Sequence, residues 1–297
     1  MDMHDHNHNG KNIGWVILFN VAITVTEYIG GTLSGSLALI SDAGHNFSDV
    51  LSLILSYFGE YFSRKKATKK HSFGFKRTEV AAAFLNAISL TGLGLIIIGE
   101  AIRRFSQQKE ISLGIMLVVA MVGLAGNLFS LLVLRRSKDK NLNIRAAYLH
   151  LFYDALSSFF VIIASIAIAV THWFAFDLIA SLVIALLMIW SGLGVLKDAL
   201  HIFMQGVPKE IDFDEVLNAI GSVVGIESIH DLHIWSVSSE HIFLSCHVCV
   251  SKEKHSSEIN ELVQKINVLL EERYNITHSA IQFEYAGVCQ NGAVCCK

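Results

Sequence analysis

Six long apolar stretches, all lying before residue 205, set the strongest limit on how this chain of 297 residues can fold. A helix rises about 1.5 Å per residue, so each stretch is long enough to cross a hydrocarbon core about 30 Å thick. We therefore predict six membrane-spanning helices, at Ile13–Leu33, Leu37–Tyr61, Val80–Ala101, Leu113–Leu134, Ala146–Val170 and Leu178–Leu196.

The composition is also that of a membrane protein. Hydrophobic residues make up 53% of the chain, charged residues make up 16%, and Pro208 is the single proline. The polar start MDMHDHNHNGKN leads into an apolar run with no small-residue cleavage site, so we expect this run to stay as a helix rather than to be removed as a signal peptide. The formal net charge of −3 does not favour nucleic acid as a partner, and the lipid bilayer is the expected surrounding.

The distribution of Lys and Arg predicts the orientation of the helices. The connecting segments SRKKATKKHSFGFKR and RRSKDKNLNIR are rich in basic residues, whereas THWFAF and the link after the first stretch contain none. With an even number of spans and the basic loops inside, both termini are expected to be cytoplasmic, and the protein is expected in the inner (plasma) membrane. All five cysteines lie in the last quarter of the chain, and their odd number does not favour a disulfide framework.

From about Gln205 onward, the pattern is typical of a small soluble domain. Gly206 and Pro208 interrupt the apolar pattern, and the periodicity then predicts a helix, two strands, a helix and a strand at Phe213–Val223, Ile229–Val237, His241–Val250, Ser256–Tyr274 and Ser279–Tyr285. This αββαβ order is typical of a ferredoxin-like α+β layer. The expected fold is a membrane all-α six-helix domain (12–205) and a cytoplasmic α+β domain (206–286), flanked by a flexible His-containing tail (1–11) and a Cys-containing tail (287–297).

Two histidine–aspartate pairs need an explanation, because ionisable side chains are costly at hydrocarbon depth. His45 and Asp49 lie in the second apolar stretch, and His150 and Asp154 lie in the fifth. Residues four apart share one face of a helix, so each pair can hold one ion between its side chains. Two imidazoles and two carboxylates match a tetrahedral Zn²⁺ site and are compatible with Co²⁺, whereas Mg²⁺ and Ca²⁺ prefer oxygen ligands.

The motifs around these pairs resemble those of the cation diffusion facilitator family of zinc transporters, in its bacterial-type members. SGSLALISDAGHNFSDVLSL is similar to the family's second-helix motif, HLFYDALSS to its fifth-helix motif, and HSFGFKRTEVAAAF to its basic loop and the start of its third helix. FDLIASLVIALLMI resembles the sixth helix, MQGVP the linker, and IHDLHIW the first strand of the cytoplasmic domain. The resemblance covers most of the chain.

The resemblance implies a transport site formed by His45, Asp49, His150 and Asp154 in a homodimer that exchanges Zn²⁺ for protons. Imidazole has an unperturbed pKa of about 6.5 and binds metal only when neutral, so metal entry releases protons and protonation helps to expel the metal. Zn²⁺ is thus the expected cargo and a candidate structural or regulatory ion. Asp42 is interpreted as a proton relay or, preferably, as a helix-start residue near the outer surface.

Strand parity predicts a second metal site in the soluble domain. Side chains alternate between the two faces of a strand, and one face of the second strand has the apolar pattern of a core face. His247 is therefore expected on the other face, and the same alternation in the third strand places Glu284 outward. These two residues are expected to meet, together with His230 or His233 from the first strand. The family uses similar positions for zinc that bridges or steadies the dimer, although Gln282 stands where some relatives have a histidine.

Several further residues are weaker candidates. His255 is a further possible ligand in the soluble domain, and His71 is a candidate in the basic loop, where Thr68 and Phe75 replace ligands of some relatives. Cys246 and Cys249 point to opposite faces of one strand and are interpreted as packing residues. The histidines of the N-terminal tail and the cysteines of the C-terminal tail form loose clusters that suit metal.

Polar residues elsewhere in the apolar stretches are expected mostly to form interhelical hydrogen bonds or to lie at interfaces. They are Asn20, Glu27, Asn86, Glu100 and Asn127.

Two other functions are alternatives to export by proton antiport. A membrane metalloenzyme needs an open catalytic site built from His-rich boxes or a His-Glu-x-x-His motif, and neither is present in the sequence, so no enzyme is expected. A membrane-tethered zinc sensor acting through the cytoplasmic domain leaves the intramembrane pairs unexplained. Cd²⁺, Co²⁺ and Fe²⁺ remain alternative cargoes to Zn²⁺.

Overall fold

The computed structural model describes residues 6–105, 110–135, 142–239, 241–251 and 254–285, with the side chains of 6–17, 19, 133–135, 142–147, 149 and 150 left outside the description. Within these ranges the chain forms eight helices and three strands. Two compact units are distinguished: a first unit of Met1–Tyr57 and Ala82–Leu196, and a second unit of Phe58–Ala81 and Lys197–Lys297.

Six long helices occupy the six predicted spans. They are α1 (His6–Ser34), α2 (Leu37–Ser63), α3 (Thr78–Phe105), α4 (Leu113–Arg135), α5 (Leu142–Thr171) and α6 (Ala175–Phe203). By length and composition, four stretches of the described residues can cross a membrane, namely Thr78–Phe105, Leu113–Leu132, Leu151–Thr171 and Ala175–Phe203. The second helix is not among them because its run of polar residues between Asp42 and Asp49 lowers its mean hydropathy.

The first helix is longer than the sequence indicates. It begins at His6, inside the segment expected to be a flexible tail. Residues 6–12 contain no proline, so the backbone hydrogen bonds of the apolar run extend toward the N-terminus without interruption. His4 lies outside the described residues.

The core of the first unit joins five of its helices. It includes Leu39 of α2, Ile97 of α3, Met116 of α4, Val161 of α5 and Met188 of α6, all nearly or fully buried. Large apolar side chains on the outward faces of the same helices are exposed, as expected for surfaces that meet lipid rather than water. The packing therefore places the polar residues of α2 inside the helix bundle.

Small residues allow close contact between α1 and α4. A Cβ atom added at Gly126 would lie 2.5 Å from Ile23 Cδ1, and one added at Gly123 would overlap Glu27 Oε1. Real Cβ atoms do not come this close to other atoms. Gly123 therefore leaves room for the buried carboxyl group of Glu27, and Gly126 leaves room for Ile23.

The second unit contains the predicted αββαβ arrangement. Its elements are α7 (Phe213–Gly221), β1 (Ser228–Ser236), β2 (Ile242–Val250), α8 (Ser256–Tyr274) and β3 (Ile276–Tyr285). The sheet order is β1-β2-β3, with β1 and β2 antiparallel and β2 and β3 parallel. A parallel pair needs a crossover connection, and α8 provides it.

Both helices of this layer pack on one face of the sheet. Val216 and Ile220 of α7 and Ile266 of α8 are buried against inward-facing strand residues such as Leu244 and Val248. The α+β prediction and the assignment of the core face of β2 are confirmed. The other face of the sheet carries His230, His247 and Glu284.

Candidate metal centre

The helix that carries His45 and Asp49 is anchored at its N-terminus by a residue of α6. Asp177 is 1% exposed, and its carboxylate accepts hydrogen bonds from Ser36 Oγ at 2.5 Å, Leu37 N at 2.7 Å and Ala38 N at 3.2 Å. The first N–H groups of a helix have no partner within the helix, and a carboxylate also suits the positive end of the helix dipole. Asp177 thus caps α2 and holds it against α6.

Three of the four predicted ligands come together between α2 and α5. His45 Nε2 lies 3.7 Å from Asp49 Oδ2, one helical turn away, and 3.6 Å from Asp154 Oδ1 on α5. One donor atom from each of these three residues lies within 4.8 Å of the others. The expected side-by-side placement of the second and fifth helices is therefore present.

These distances fit a shared divalent ion. Metal–nitrogen and metal–oxygen bonds of about 2.0–2.1 Å in a tetrahedron separate neighbouring ligand atoms by about 3.3 Å. The separations of 3.6 and 3.7 Å are slightly longer than this and lie within the range of ion pairs. One imidazole and two carboxylates at these separations can share one ion.

The fourth predicted ligand, His150, belongs to α5 and precedes Asp154 by four residues. Its backbone is helical, which is the condition under which i and i+4 side chains share a face. The side chain of His150 lies outside the described residues.

Asp42 is not a helix-start residue, contrary to the preferred interpretation of the sequence. It lies in the second turn of α2, is 1% exposed, and accepts hydrogen bonds from Ser157 Oγ at 2.5 Å and Ser158 Oγ at 3.1 Å. The true start of α2 is capped by Asp177, which lies far away in the sequence. Asp42 therefore joins α2 to α5 beside the ligand residues.

A further buried bond joins α1 to α2. Glu27 is 1% exposed, and its Oε2 accepts a hydrogen bond of 2.7 Å from Asn46 Nδ2, next to His45 in the sequence. This is the interhelical role expected for Glu27. Glu100 differs from that expectation, because it accepts hydrogen bonds from Arg103 and Arg104 of its own helix.

A second cluster of donors lies on the polar face of the sheet in the second unit. His247 Nδ1 lies 3.1 Å from Glu284 Oε1, and His230 Nε2 lies 3.3 Å from Glu284 Oε2. One donor atom from each of the three residues lies within 4.8 Å of the others. Two imidazoles and a carboxylate at these separations suit a first-row divalent ion such as Zn²⁺.

The irregular register of β1 explains why both of its histidines face this cluster. His230 pairs with His247 and His233 pairs with Ser245. Three residues of β1 therefore span the same length of the ladder as two residues of β2. The bulge contains Asp231, which has a φ of 52°. Asp231 Oδ1 lies 3.1 Å from His233 Nε2, so His233 contacts Asp231, whereas His230 contacts Glu284.

The contacts of Asp231 and Asp177 are not predicted from the sequence. Asp231 carries no signal of its own, because a bulge cannot be predicted from strand alternation. Asp177 carries a weak signal as an acidic residue at the start of an apolar run. Its partner, the N-terminus of α2, is not evident from the sequence.

The two weaker candidates lie apart from both clusters. His255 is the N-cap of α8, where its backbone N–H donates to Glu258 Oε2 at 2.8 Å. His71 is exposed in the loop between α2 and α3, and its ring packs 4.6 Å from that of Phe75. Neither belongs to a group of three or more His, Cys, Asp or Glu donors in the part of the chain that the structure describes.

The two cysteines of β2 lie on opposite faces of the sheet. Cys246 is a free, buried thiol that packs in the core, as predicted, and burial raises its pKa to about 12. Cys249 lies on the opposite face, with Sγ 3.7 Å from His230 Nδ1.

Both units of the chain match known protein families. The cation efflux transmembrane domain matches residues 15–204, and the cytoplasmic domain of cation efflux proteins matches residues 208–286. A cadmium, cobalt and zinc/H(+)-K(+) antiporter of Bacillus subtilis (strain 168) is 40% identical over 98% of this chain and 96% of its own length.

Two further relatives match over similar lengths. The zinc transporter ZitB of Escherichia coli (strain K12) is 33% identical over 95% of this chain and 92% of its own length. The metal cation efflux system protein CzcD of Cupriavidus metallidurans is 34% identical over 95% of this chain and 90% of its own length. The solved metal-bound C-terminal domain of the CzcD transporter is 35% identical over 25% of this chain and 99% of that domain, with a TM-score of 0.23.

Proposed function

We propose, because this chain belongs to the cation efflux (cation diffusion facilitator) family, that it exports Zn²⁺ in exchange for protons through the site between α2 and α5. As a member of this family the protein is a multi-pass membrane transporter of divalent metal cations and not an enzyme. The proposal goes further in naming the ion, the ligands and the mechanism.

The observation that carries this proposal is the convergence of His45, Asp49 and Asp154 from two helices. Inside the first unit, His45 Nε2 lies 3.7 Å from Asp49 Oδ2 and 3.6 Å from Asp154 Oδ1. With His150 as the fourth ligand, the site offers two nitrogens and two carboxylate oxygens, which suits tetrahedral Zn²⁺ and balances its charge. Relatives described as transporters of zinc, cadmium and cobalt support this class of cargo.

Proton exchange follows from the chemistry of the ligands. Imidazole and carboxylate must be deprotonated to bind metal, so protons and metal compete for the same atoms. If the site opens to the cytoplasm when it binds metal and to the outside when it binds protons, an inward proton gradient drives metal outward. A transport site of this kind needs four protein ligands around the ion and no coordination position left open for water.

We also propose a homodimer with both termini in the cytoplasm of the cell, in the inner membrane. The match to the cytoplasmic domain of cation efflux proteins supports the dimer, and the basic segments between α2 and α3 and after α4 support the orientation. In the second unit we propose that His230, His247 and Glu284 bind a regulatory Zn²⁺. His233 is held beside this cluster by Asp231.

Reconstituted transport tests the proposed function. In sealed vesicles with an imposed pH gradient, the wild type is expected to move Zn²⁺, and Asp154→Ala is expected to lower the initial rate at low Zn²⁺ by at least about 100-fold, since even indirect support of a metal ligand is worth 10–100-fold. Asp214→Ala, an exposed aspartate of α7, is the matched control and is expected to leave the rate unchanged.

Two outcomes contradict the proposal. Equal rates for wild type and Asp154→Ala would remove Asp154 from the transport site. If the wild type binds Zn²⁺ but does not move it, a membrane-tethered sensor becomes the better description. Repeating the assay with Cd²⁺, Co²⁺ and Fe²⁺ compares the alternative cargoes directly.

A further inference from the structure

A cavity of about 630 Å³ lies within the second unit, away from the donor cluster of the sheet. The loop between α2 and α3 and the first turn of α3 form one wall, and residues from the end of α6 and from β1 form another. Small-molecule sites in proteins have volumes of about 300–1,000 Å³. The cavity is therefore large enough for a ligand of ordinary size.

Two basic side chains line this cavity. Lys76 and Arg77 are half-buried, and neither forms an ion pair with a carboxylate of the described residues. Lys76 Nζ lies 6.0 Å from the ring of Phe243, a weak compensation for its partial burial. The nearby carboxylate of Glu79 accepts a hydrogen bond from Ser239 and does not line the cavity.

The first turn of α3 adds to the positive potential of this wall. Thr78 and Ala81 line the cavity where α3 begins, so the positive end of the helix dipole lies beside Lys76 and Arg77. Thr78 Oγ1 donates to the carbonyl groups of Gly59 and Phe75, which holds this turn against the end of α2. Helix N-termini with neighbouring basic side chains bind anions, and phosphate above all.

The lining of the cavity is also partly aromatic. Phe73, Phe203 and Trp235 face the cavity, and Phe73 and Trp235 both pack on Phe243, at ring distances of 5.5 and 6.0 Å. Aromatic side chains offer an apolar surface next to the cationic one. A matching ligand therefore has an anionic group joined to an apolar body.

We propose that this cavity binds a phosphate group carried on an apolar body, with Arg77 and Lys76 as its ligands and the aromatic wall holding the attached group. The guanidinium of Arg77 binds two phosphate oxygens, and the ammonium of Lys76 acts as a point charge. An anionic phospholipid and a free phosphate share the phosphate group, the aromatic wall favours the phospholipid, and the two sources are separated by the choice of titrant.

Calorimetric titration of the full chain in a neutral detergent tests the proposal. Short-chain phosphatidylglycerol is expected to bind the wild type saturably, and short-chain phosphatidylcholine, which has no net charge, is expected to bind much more weakly. The double variant Lys76→Gln/Arg77→Gln is expected to lose about tenfold or more in affinity, the effect of losing a charge-assisted hydrogen bond. Inorganic phosphate is titrated in parallel, and binding of phosphate alone indicates a soluble source.

The matched control is Lys69→Gln/Lys70→Gln, which removes the same charge from exposed residues of the same loop that do not line the cavity. It is expected to keep its affinity within about twofold. Ala81→Leu keeps every charge and fills part of the cavity, so it is expected to weaken phosphatidylglycerol binding even if the double variant is poorly folded. The proposal is overturned by equal losses in the two double variants, by full affinity in Ala81→Leu, or by no saturable binding of either phosphate source to the wild type.

Discussion

The two described aspartates of the candidate metal centre differ in exposure. Asp154 is 2% exposed, whereas Asp49 is 24% exposed and His45 is 23% exposed. The tighter packing around Asp154 leaves less room there for another group to take the place of a lost ligand. For this reason the transport test above removes Asp154.

At the same scale, the buried thiol of Cys246 leads to a prediction about alkaline stability. Burial raises its pKa from 9.0 to about 12 in the folded chain. Between these pH values the unfolded chain binds fewer protons than the folded chain, so the free energy of unfolding falls as the pH rises, by at most about 1.4 kcal/mol per pH unit. Cys246→Ser does not titrate in this range, and its stability is expected to fall less steeply between pH 9 and pH 11 in chemical unfolding.

The slope, rather than the absolute stability, is the quantity compared, because the substitution also changes core packing. A wild-type slope equal to that of Cys246→Ser would show that the thiol is not protected. The other titrating side chains are common to both proteins and cancel in the difference.

At the scale of elements, the transport helix α2 depends on a cap from another helix. Asp177→Ala removes the carboxylate that accepts from Ser36 Oγ and from two N–H groups of α2. The loss is expected to lower the free energy of unfolding by about 2 kcal/mol, because the uncapped groups are buried. Denaturant titration of the purified protein measures this change.

Asp212 supplies the control for this prediction. It caps α7 by accepting from the N–H groups of Asp214 and Glu215, but it is exposed, so water can take its place. Asp212→Ala is expected to cost only about 1 kcal/mol. A cost for Asp177→Ala no greater than this would argue against a special role for the cap in positioning α2.

The contact between α1 and α4 leads to another prediction at this scale. Gly123→Ala places a Cβ against Glu27 Oε1, and the resulting overlap is expected to destabilise the protein by about 1–3 kcal/mol. Gly99→Ala on α3 meets no atom within 4 Å and is expected to be neutral or to stabilise by up to about 1 kcal/mol, since alanine favours helix. Thermal unfolding of the two variants compares them, and equal effects would contradict the close contact.

At the scale of the whole molecule, the described residues form one donor cluster in each unit, and the two clusters predict the number of bound ions. The wild type is expected to bind two Zn²⁺ per chain, one at His45, Asp49, Asp154 and His150 and one at His230, His247 and Glu284. His247→Ala and Asp154→Ala are each expected to lose one ion, and the double variant is expected to lose both. Equilibrium dialysis followed by elemental analysis measures the count.

His241→Ala is the control for the second unit, because His241 hydrogen-bonds to Ser238 and is not part of the cluster. It is expected to keep both ions. If His247→Ala binds as much Zn²⁺ as His241→Ala, the second unit has no regulatory site of this kind. Transport by His247→Ala then shows whether the second ion affects the first.

The sequence by itself determined the features that follow from local periodicity and from the cost of burying charge. Apolar runs of sufficient length predict the six helices, the i, i+4 spacing predicts the faces of His45 and Asp49 and of Asp154, and strand alternation predicts that His247 and Glu284 meet. Each of these depends only on the geometry of one helix or strand, together with the expense of an ionisable group in an apolar setting.

The tertiary structure alone decided the partners that come from distant parts of the chain. It placed Asp177 of α6 at the N-terminus of α2, and it placed Asp42 of α2 within hydrogen-bonding distance of α5. It also introduced a bulge at Asp231 that puts His230 and His233 on one face of the sheet. It also enclosed Lys76 and Arg77 in a cavity. Such contacts depend on how whole helices and strands pack. A one-residue change in register changes these contacts, although the local pattern of apolar and polar residues stays the same.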